Sequence, residues 1–266
     1  MKFGFIGTGN MGGALCAAVC KAVGGENVGA ADFFRDKAEA FCTENGCILS
    51  DNAELAANAE YLFLGVKPQM MADMLSGIGS VLAARKERIV LVSMAAGLSI
   101  DTIRTMAGGE YPVIRIMPNT SVRVGEGMIE YCACGVEPEE IETFVSAMRF
   151  AGRLDAIPEN LIDAASAVAG CGPAFAYLFM EALADGAVEC GLPRQKAQIY
   201  TAQMLLGAAK LVLESGEHTG KLKDDVCSPG GTTIAGVHAL EDGAFRASVM
   251  NAVVRAYKRT LELSNK

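Results

Sequence analysis

The first half of the chain alternates short apolar runs with stretches whose apolar positions recur every three or four residues. "KFGFIG", "NVGAAD", "YLFLGV" (Tyr61–Val66), "RIVLVSM" (Arg88–Met94) and "PVIRIM" (Pro112–Met117) read as buried strands, with helical patterns over Met11–Val23, Lys37–Asn45 and Met70–Leu82 between them. Strands that are apolar almost throughout, separated by helices, imply βαβ units and a parallel sheet covered on both faces. A less regular tail, "GMIEYCACG", "PEEIETFVSAMRF" and "GRLDAI", adds edge strands and one more helix.

After Pro158 the strand signal stops. Helical patterns cover Glu159–Val168, Ala174–Cys190, Arg194–Ser215 and, with breaks, Ile234–Leu263. Gly191-Leu192-Pro193 is a stop-then-start signal, glycine ending one helix and proline opening the next. The expected organisation is therefore an α/β domain over 1–157 and a helical domain over 158–266. The charge-free run Ala164–Met180 is broken by Gly170, Gly172 and Pro173. It reads as a buried helix pair in a core or subunit interface rather than a membrane span.

Composition narrows the partners. The net charge of −8 argues against nucleic acid, whose binding draws on clustered Lys and Arg. Nine cysteines are an odd number without a CxxC pair, and only His218 and His238 offer imidazole. No zinc-spaced set results, so no metal is expected. The thiols read as small hydrophobes in a reducing, cytoplasmic protein, and no secretory leader is expected ahead of the first strand.

"GFIGTGNMGGAL" carries Gly7-Thr8-Gly9-Asn10-Met11-Gly12, a full GxGxxG between a strand and a helix, and Asp32 ends the second strand about twenty residues on. This is the fingerprint of a Rossmann-type dinucleotide site, with the diphosphate held at the helix's positive end. Asp32 suits the free ribose hydroxyl of NADH, whereas Arg35 suits the phosphate of NADPH, and the sequence leaves both open. "GVKP" (Gly65–Pro68), "SMAAG" (Ser93–Gly97) and "MPNT" (Met117–Thr120) stand at later strand ends, where ligands bind in open parallel sheets. In the helical half, "CSPGGTT" (Cys227–Thr233) opens a helix with two glycines and two threonines. Unpaired N–H groups and a spare hydroxyl make it a small pocket for a carboxylate.

"DDVCSPGGTTIAGVHALEDGAFR" resembles the C-terminal signature of the pyrroline-5-carboxylate reductase family, and "FIGTGNMG", "GVKPQ", "SMAAG", "RIMPNT" and "GCGPAFAYLFMEALADGAV" match it in order and spacing. The resemblance implies a Rossmann domain followed by an all-helical dimerisation domain. It also implies an oxidoreductase that reduces the cyclic imine 1-pyrroline-5-carboxylate to L-proline with NADPH or NADH, the last step of proline biosynthesis. Carried over by position, Ile6, Gly7, Thr8, Gly9, Asn10 and Met11 would lie along the diphosphate, and Asp32 to Arg35 near the adenosine ribose. Asn52, then Gly65, Val66, Lys67 and Pro68, then Met94, Ala95 and Ala96 would complete the cofactor site. Gly231 and the amides of Thr232 and Thr233 would hold the substrate carboxylate, with the Thr233 hydroxyl, the catalytic candidate, facing the ring nitrogen. The resemblance further implies homodimers through the C-terminal helices and larger rings such as decamers.

Ser121, Ala169 and Cys171 depart from the family pattern as packing changes, whereas Asp32 bears on its usual NADPH preference. Two rival readings are a related reductase and a nucleotide-sensing binding protein without turnover. A β-hydroxyacid dehydrogenase would place a catalytic lysine in the first long helices, and Glu159–Leu192 contains none.

Overall fold

The computed structural model describes residues 1–264. Its first part runs β1 (Phe3–Ile6), α1 (Asn10–Val23), β2 (Val28–Ala31), α2 (Arg35–Asn45), β3 (Ile48–Leu49), α3 (Asn52–Asn58) and β4 (Tyr61–Leu64). It continues through α4 (Met71–Ala84), β5 (Val90–Ser93), α5 (Ile100–Ala107), β6 (Val113–Pro118), β7 (Gly127–Cys134), α6 (Pro138–Ala147), β8 (Gly152–Ala156) and α7 (Glu159–Ala169). The strands form one sheet in the order β3-β2-β1-β4-β5-β6-β7-β8, parallel except where β7 turns back against β6.

Alternation along the strands supplies two cores. Phe3, Phe5 and Phe63 face α1 and α6, where Leu15, Val19 and Phe144 meet them. Ile6, Leu62, Leu64 and Leu91 face the other way, onto Leu75 and Ile78 of α4 and Ile103 of α5. Phe5 lies opposite Phe63 in register, their rings stacked at 4.1 Å. Burying each such ring contributes about 1.5–3 kcal/mol, which is why these strands are apolar throughout.

The chain divides into two compact units, Met1–Cys171 with the end of the chain from Ala256, and Gly172–Arg255. The sequence expectation put the boundary at Ile157–Pro158, ahead of α7. In the structure α7 packs with the sheet. Ile162 is fully buried in the second core, and buried Arg115 of β6 reaches Glu159 at 3.3 Å and Asp163 at 2.8 Å. On β7, opposite Met117 of β6, Glu130 is buried with one carboxylate oxygen lacking a partner among the described residues. Burial pushes its carboxyl above the usual range, and Asp155 adds to this against a backbone hydrogen bond.

The second unit contains α8 (Gly172–Glu189), α9 (Arg194–Ser215), α10 (Thr219–Val226), α11 (Thr232–Asp242) and most of α12 (Phe245–Ser264). Asp185 of α8 pairs with Arg194 of α9, and Phe179 packs on Phe245 at 5.6 Å. Few side chains here are buried: Ala184, Ala197 and Thr201. By length and composition alone, the stretch Glu159–Glu189, which holds an 18-residue window of mean hydropathy 1.4, would suffice to cross a membrane.

Candidate functional site

Six parallel strands end at one edge of the sheet, and the sequence-named cofactor residues gather there. Ile6 closes β1, Asp32 follows β2, Asn52 follows β3, Gly65 to Pro68 follow β4, and Met94 to Ala96 follow β5. Strand order reverses between β1 and β4, which opens the crevice where such sheets bind ligands. Backbone bonds tie its rim: Gly7 N–H donates to Ala31 O at 2.7 Å and Gly65 N–H to Ile6 O at 2.8 Å.

The glycine loop shows why each position takes its residue. Gly7 sits at φ +100°, a conformation side chains disfavour. A Cβ on Gly12 would lie 2.2 Å from the Gly7 carbonyl oxygen, so helix and loop touch backbone to backbone. A Cβ on Gly9 would meet nothing within 4 Å, leaving open space in front of the loop. Gly9 has no side chain to cap α1, and the first internal bond runs from Gly13 N–H to Gly9 O at 2.8 Å. The amides of Asn10, Met11 and Gly12 therefore lack intrahelical acceptors and carry the helix's positive end. Open space before free amides fits a dinucleotide diphosphate.

Arg123, which sequence reasoning missed, adds a cation at this point. It lies in the single-turn segment Thr120–Val124 after β6, and its guanidinium donates to Asn10 Oδ1 at 3.3 Å. The only sequence signal was its place just past the "MPNT" strand end. A groove of about 690 Å³ is lined by Thr8, Gly9, Asn10, Lys37, Phe41 and Arg123 among others, but neither by Gly65–Pro68 nor by Met94–Ala96.

Asp32 is tied into the loop it follows. Thr8 donates to its Oδ2 twice, from the N–H at 2.8 Å and from the hydroxyl at 3.0 Å, and Phe34 N–H donates to Oδ1 at 3.1 Å. Burial alone would raise this carboxyl. The Phe34 and Thr8 hydrogen bonds and the Lys37 charge outweigh burial and hold it below the usual carboxylate range. Its cationic neighbour is Lys37 at 3.8 Å, while Arg35 opens α2 at the exposed surface. With Oδ2 engaged by Thr8, Oδ1 keeps one acceptor position for a ligand hydroxyl. Phe33 and Phe34, 85% and 67% exposed, form an edge-to-face pair beside it.

Gly231, Thr232 and Thr233 lie in the second unit, at the start of α11. Gly230 turns through φ +67°, Gly231 is the N-cap without a side chain, and the helix begins at Thr232. Ala235 N–H reaches back to Gly231 O at 3.4 Å, so the amides of Thr232, Thr233 and Ile234 have no intrahelical acceptor. Thr232 is exposed and Thr233 half-buried. This is a second helix start that can hold an anion, now with hydroxyls beside it. The two histidines serve helices: His218 Nδ1 accepts from Gly220 N–H at 3.0 Å to cap α10, and His238 stands 3.1 Å from Asp242 one turn along α11.

Comparison with known proteins covers both units. The sequence pattern described as pyrroline-5-carboxylate reductase dimerisation matches residues 159–263, and that described as NADP oxidoreductase coenzyme F420-dependent matches residues 2–97. The pyrroline-5-carboxylate reductase of Methanosarcina acetivorans is 39% identical, over 100% of this chain and 98% of the relative. That of Escherichia coli is 40% identical over 99% and 98%. Among solved structures, Plasmodium falciparum pyrroline carboxylate reductase with NADP bound is 32% identical, with a TM-score of 0.86 over 99% of this chain and 98% of that one. The Coxiella burnetii pyrroline-5-carboxylate reductase is 30% identical, with a TM-score of 0.91 over 98% of each chain.

Proposed function

Because the chain belongs to the pyrroline-5-carboxylate reductase family, we propose that it reduces 1-pyrroline-5-carboxylate to L-proline with NADPH or NADH, the last step of proline biosynthesis. The observation that carries this reading is likeness over the whole length. The same relatives span both the glycine loop before α1 and the glycine-threonine loop before α11.

The division of labour follows from the two helix starts. The free amides after Gly9 hold the diphosphate, with Ile6, Gly7, Thr8, Asn10 and Met11 along it and Arg123 adding charge. Asp32 Oδ1 accepts from a ribose hydroxyl, while Arg35 and Lys37 suit a ribose phosphate, so the two sets favour opposite cofactors. Asn52, Gly65–Pro68 and Met94–Ala96 line the rest of the edge. When bound, the reduced nicotinamide supplies the hydride that converts the C=N bond to an amine. The amides of Thr232 and Thr233, with Gly231 leaving room, hold the substrate carboxylate. The Thr233 hydroxyl orients the ring nitrogen. Threonine is too weak an acid to protonate that nitrogen unaided, but 1-pyrrolines are basic enough to protonate near neutral pH, and an iminium accepts hydride far more readily than an imine. What this chain contributes is alignment and charge placement.

A second copy covers the apolar helices of the second unit, which lie within the region matching the dimerisation pattern. Larger rings would build on that dimer. The nine free thiols suit a reducing cytoplasm. The test is absorbance of NADH and NADPH in parallel with 1-pyrroline-5-carboxylate added. Oxidation coupled to proline formation is expected, and folded protein that oxidises neither cofactor rejects the reading.

A further inference from the structure

Four of the nine cysteines converge in the first unit. Cys16 and Cys20 lie one turn apart on α1, Cys42 lies near the end of α2, and Cys47 follows that helix just before β3. The Sγ atoms of Cys16, Cys20 and Cys47 all lie within 4.8 Å of one another, and Cys42 is buried in the same core, against which Cys47 packs. Cys16, Cys20 and Cys42 are buried and Cys47 half-buried, all four as free thiols. Their setting is the apolar seam of α1, α2 and β2, with Val19, Val28 and Ala30 in the same core.

We propose that Cys16, Cys20, Cys42 and Cys47 form a structural metal site that takes one Zn²⁺ in an all-thiolate shell. Cysteines used as apolar filler have no reason to meet at a point, whereas these donors come from two helices and the chain after the second. Zinc–sulfur bonds of about 2.3 Å place neighbouring sulfurs about 3.8 Å apart in a tetrahedron. The triangle of Cys16, Cys20 and Cys47 then closes by side-chain adjustments of about an ångström, and Cys42, buried in the same core, would supply the fourth sulfur. Soft sulfur ligands without carboxylate select a metal such as zinc over magnesium or calcium. Each thiol that ligates gives up its proton. Half-buried Cys47 keeps the resulting negative charge near solvent. Sequence spacing hid the site because its pairs are four and five residues apart, not the CxxC of common zinc motifs.

The position decides the role. Cys20 lies about 15 Å along α1 from Asn10, at the end away from the glycine loop. Cys42 and Cys47 lie toward the matching end of α2. A metal here fastens the rear ends of the two helices whose front ends carry the diphosphate loop and the residues after Asp32. It supports the fold and takes no part in hydride transfer, so its test stands apart from the reductase reading.

The test uses the full chain, purified under reducing conditions, loaded with Zn²⁺ and desalted. One zinc per chain is expected by elemental analysis, and removal with a chelator should lower Tm by several degrees. Co²⁺ in place of zinc should give intense thiolate-to-cobalt absorption and the visible bands of a four-coordinate ion. Cys47→Ser and Cys42→Ser should each weaken zinc at least about tenfold, and Cys16→Ser with Cys20→Ser should abolish the cobalt bands. Should that buried pair fail to fold, Cys47→Ser at the half-buried position and the wild-type titrations carry the test. Folded wild type without stoichiometric zinc and without thiolate–cobalt absorption overturns the proposal. So does a disulfide among these four, or metal retained undiminished when all four are serine.

Discussion

The two units bury their apolar residues in different ways. In the first, β1, β2, β4 and β5 are buried at every position, with helices over both faces of the sheet. In the second, α10 and α11 bury no residue at all, while Tyr177, Leu178 and Leu206 are 60%, 66% and 57% exposed. One unit completes a core from a single chain; the other presents apolar side chains that a single chain leaves in water, a cost of about 25 cal/mol per Å². Such surface marks an interaction face. The difference teaches that the first unit's behaviour should follow its own packing, whereas the second's should follow its association state.

The sharpest way to break the comparison is to damage each unit separately. Gly12→Ala should have the largest effect, because the new Cβ falls 2.2 Å from a backbone oxygen. About 1–3 kcal/mol should be lost in a urea titration, and cofactor binding should disappear from calorimetry with NADH and NADPH. Wild-type affinity would show that the close approach of α1 does not shape the loop. Leu178→Asp with Leu206→Asp should weaken the proposed dimer by about 100-fold or more and leave the first unit's cofactor affinity in place. Sedimentation velocity checks this, and an unchanged dimer would put the interface elsewhere.

Smaller effects sharpen the assignment of ligands to units. Thr233→Ala should lower kcat/KM for the imino acid about 10–100-fold at unchanged cofactor Kd, and equal loss of both would contradict a substrate role for α11. Asp32→Ser should weaken both cofactors by freeing Thr8, while raising the NADPH-to-NADH ratio of kcat/KM about tenfold. An unchanged ratio places the carboxylate outside the ribose site. Glu130→Gln is the mildest. A carboxyl whose pKa is raised on folding stabilises the native state least above that pKa, where the buried charge must form. The variant should therefore gain on wild type as pH rises from the ordinary carboxylate range toward neutrality, and parallel thermal melts across that range would show whether it does.

Long patterns were the legible ones. The expected helix over Arg194–Ser215 agrees with α9, and each expected strand overlaps an observed one, because apolar periodicity over many residues has one reading. Short elements escaped: β3 has two residues, and α3, α5 and α10 have seven or eight. Their signals were capping residues, not periodicity. Asp51 accepts from Glu54 N–H to start α3, and Ser99 from Thr102 N–H to start α5. The glycine loops were readable because backbone proximity restricts residue choice. Arg123 at Asn10, Lys37 at Asp32 and the four-cysteine cluster were not readable, since each depends on contacts between separate elements.

Six co-directional strands leave the molecule with a rear side as well as a front. The turns that lead from helices back into strands, at Gly46 and at Gly108-Gly109, stand a full strand length behind the ligand edge, and a Cβ at Gly46 or Gly108 would meet nothing within 4 Å. A fused partner inserted between Gly108 and Gly109, with both glycines kept for the left-handed turn at Gly108, would thus report on or immobilise the enzyme without crowding the place where its cofactor is exchanged.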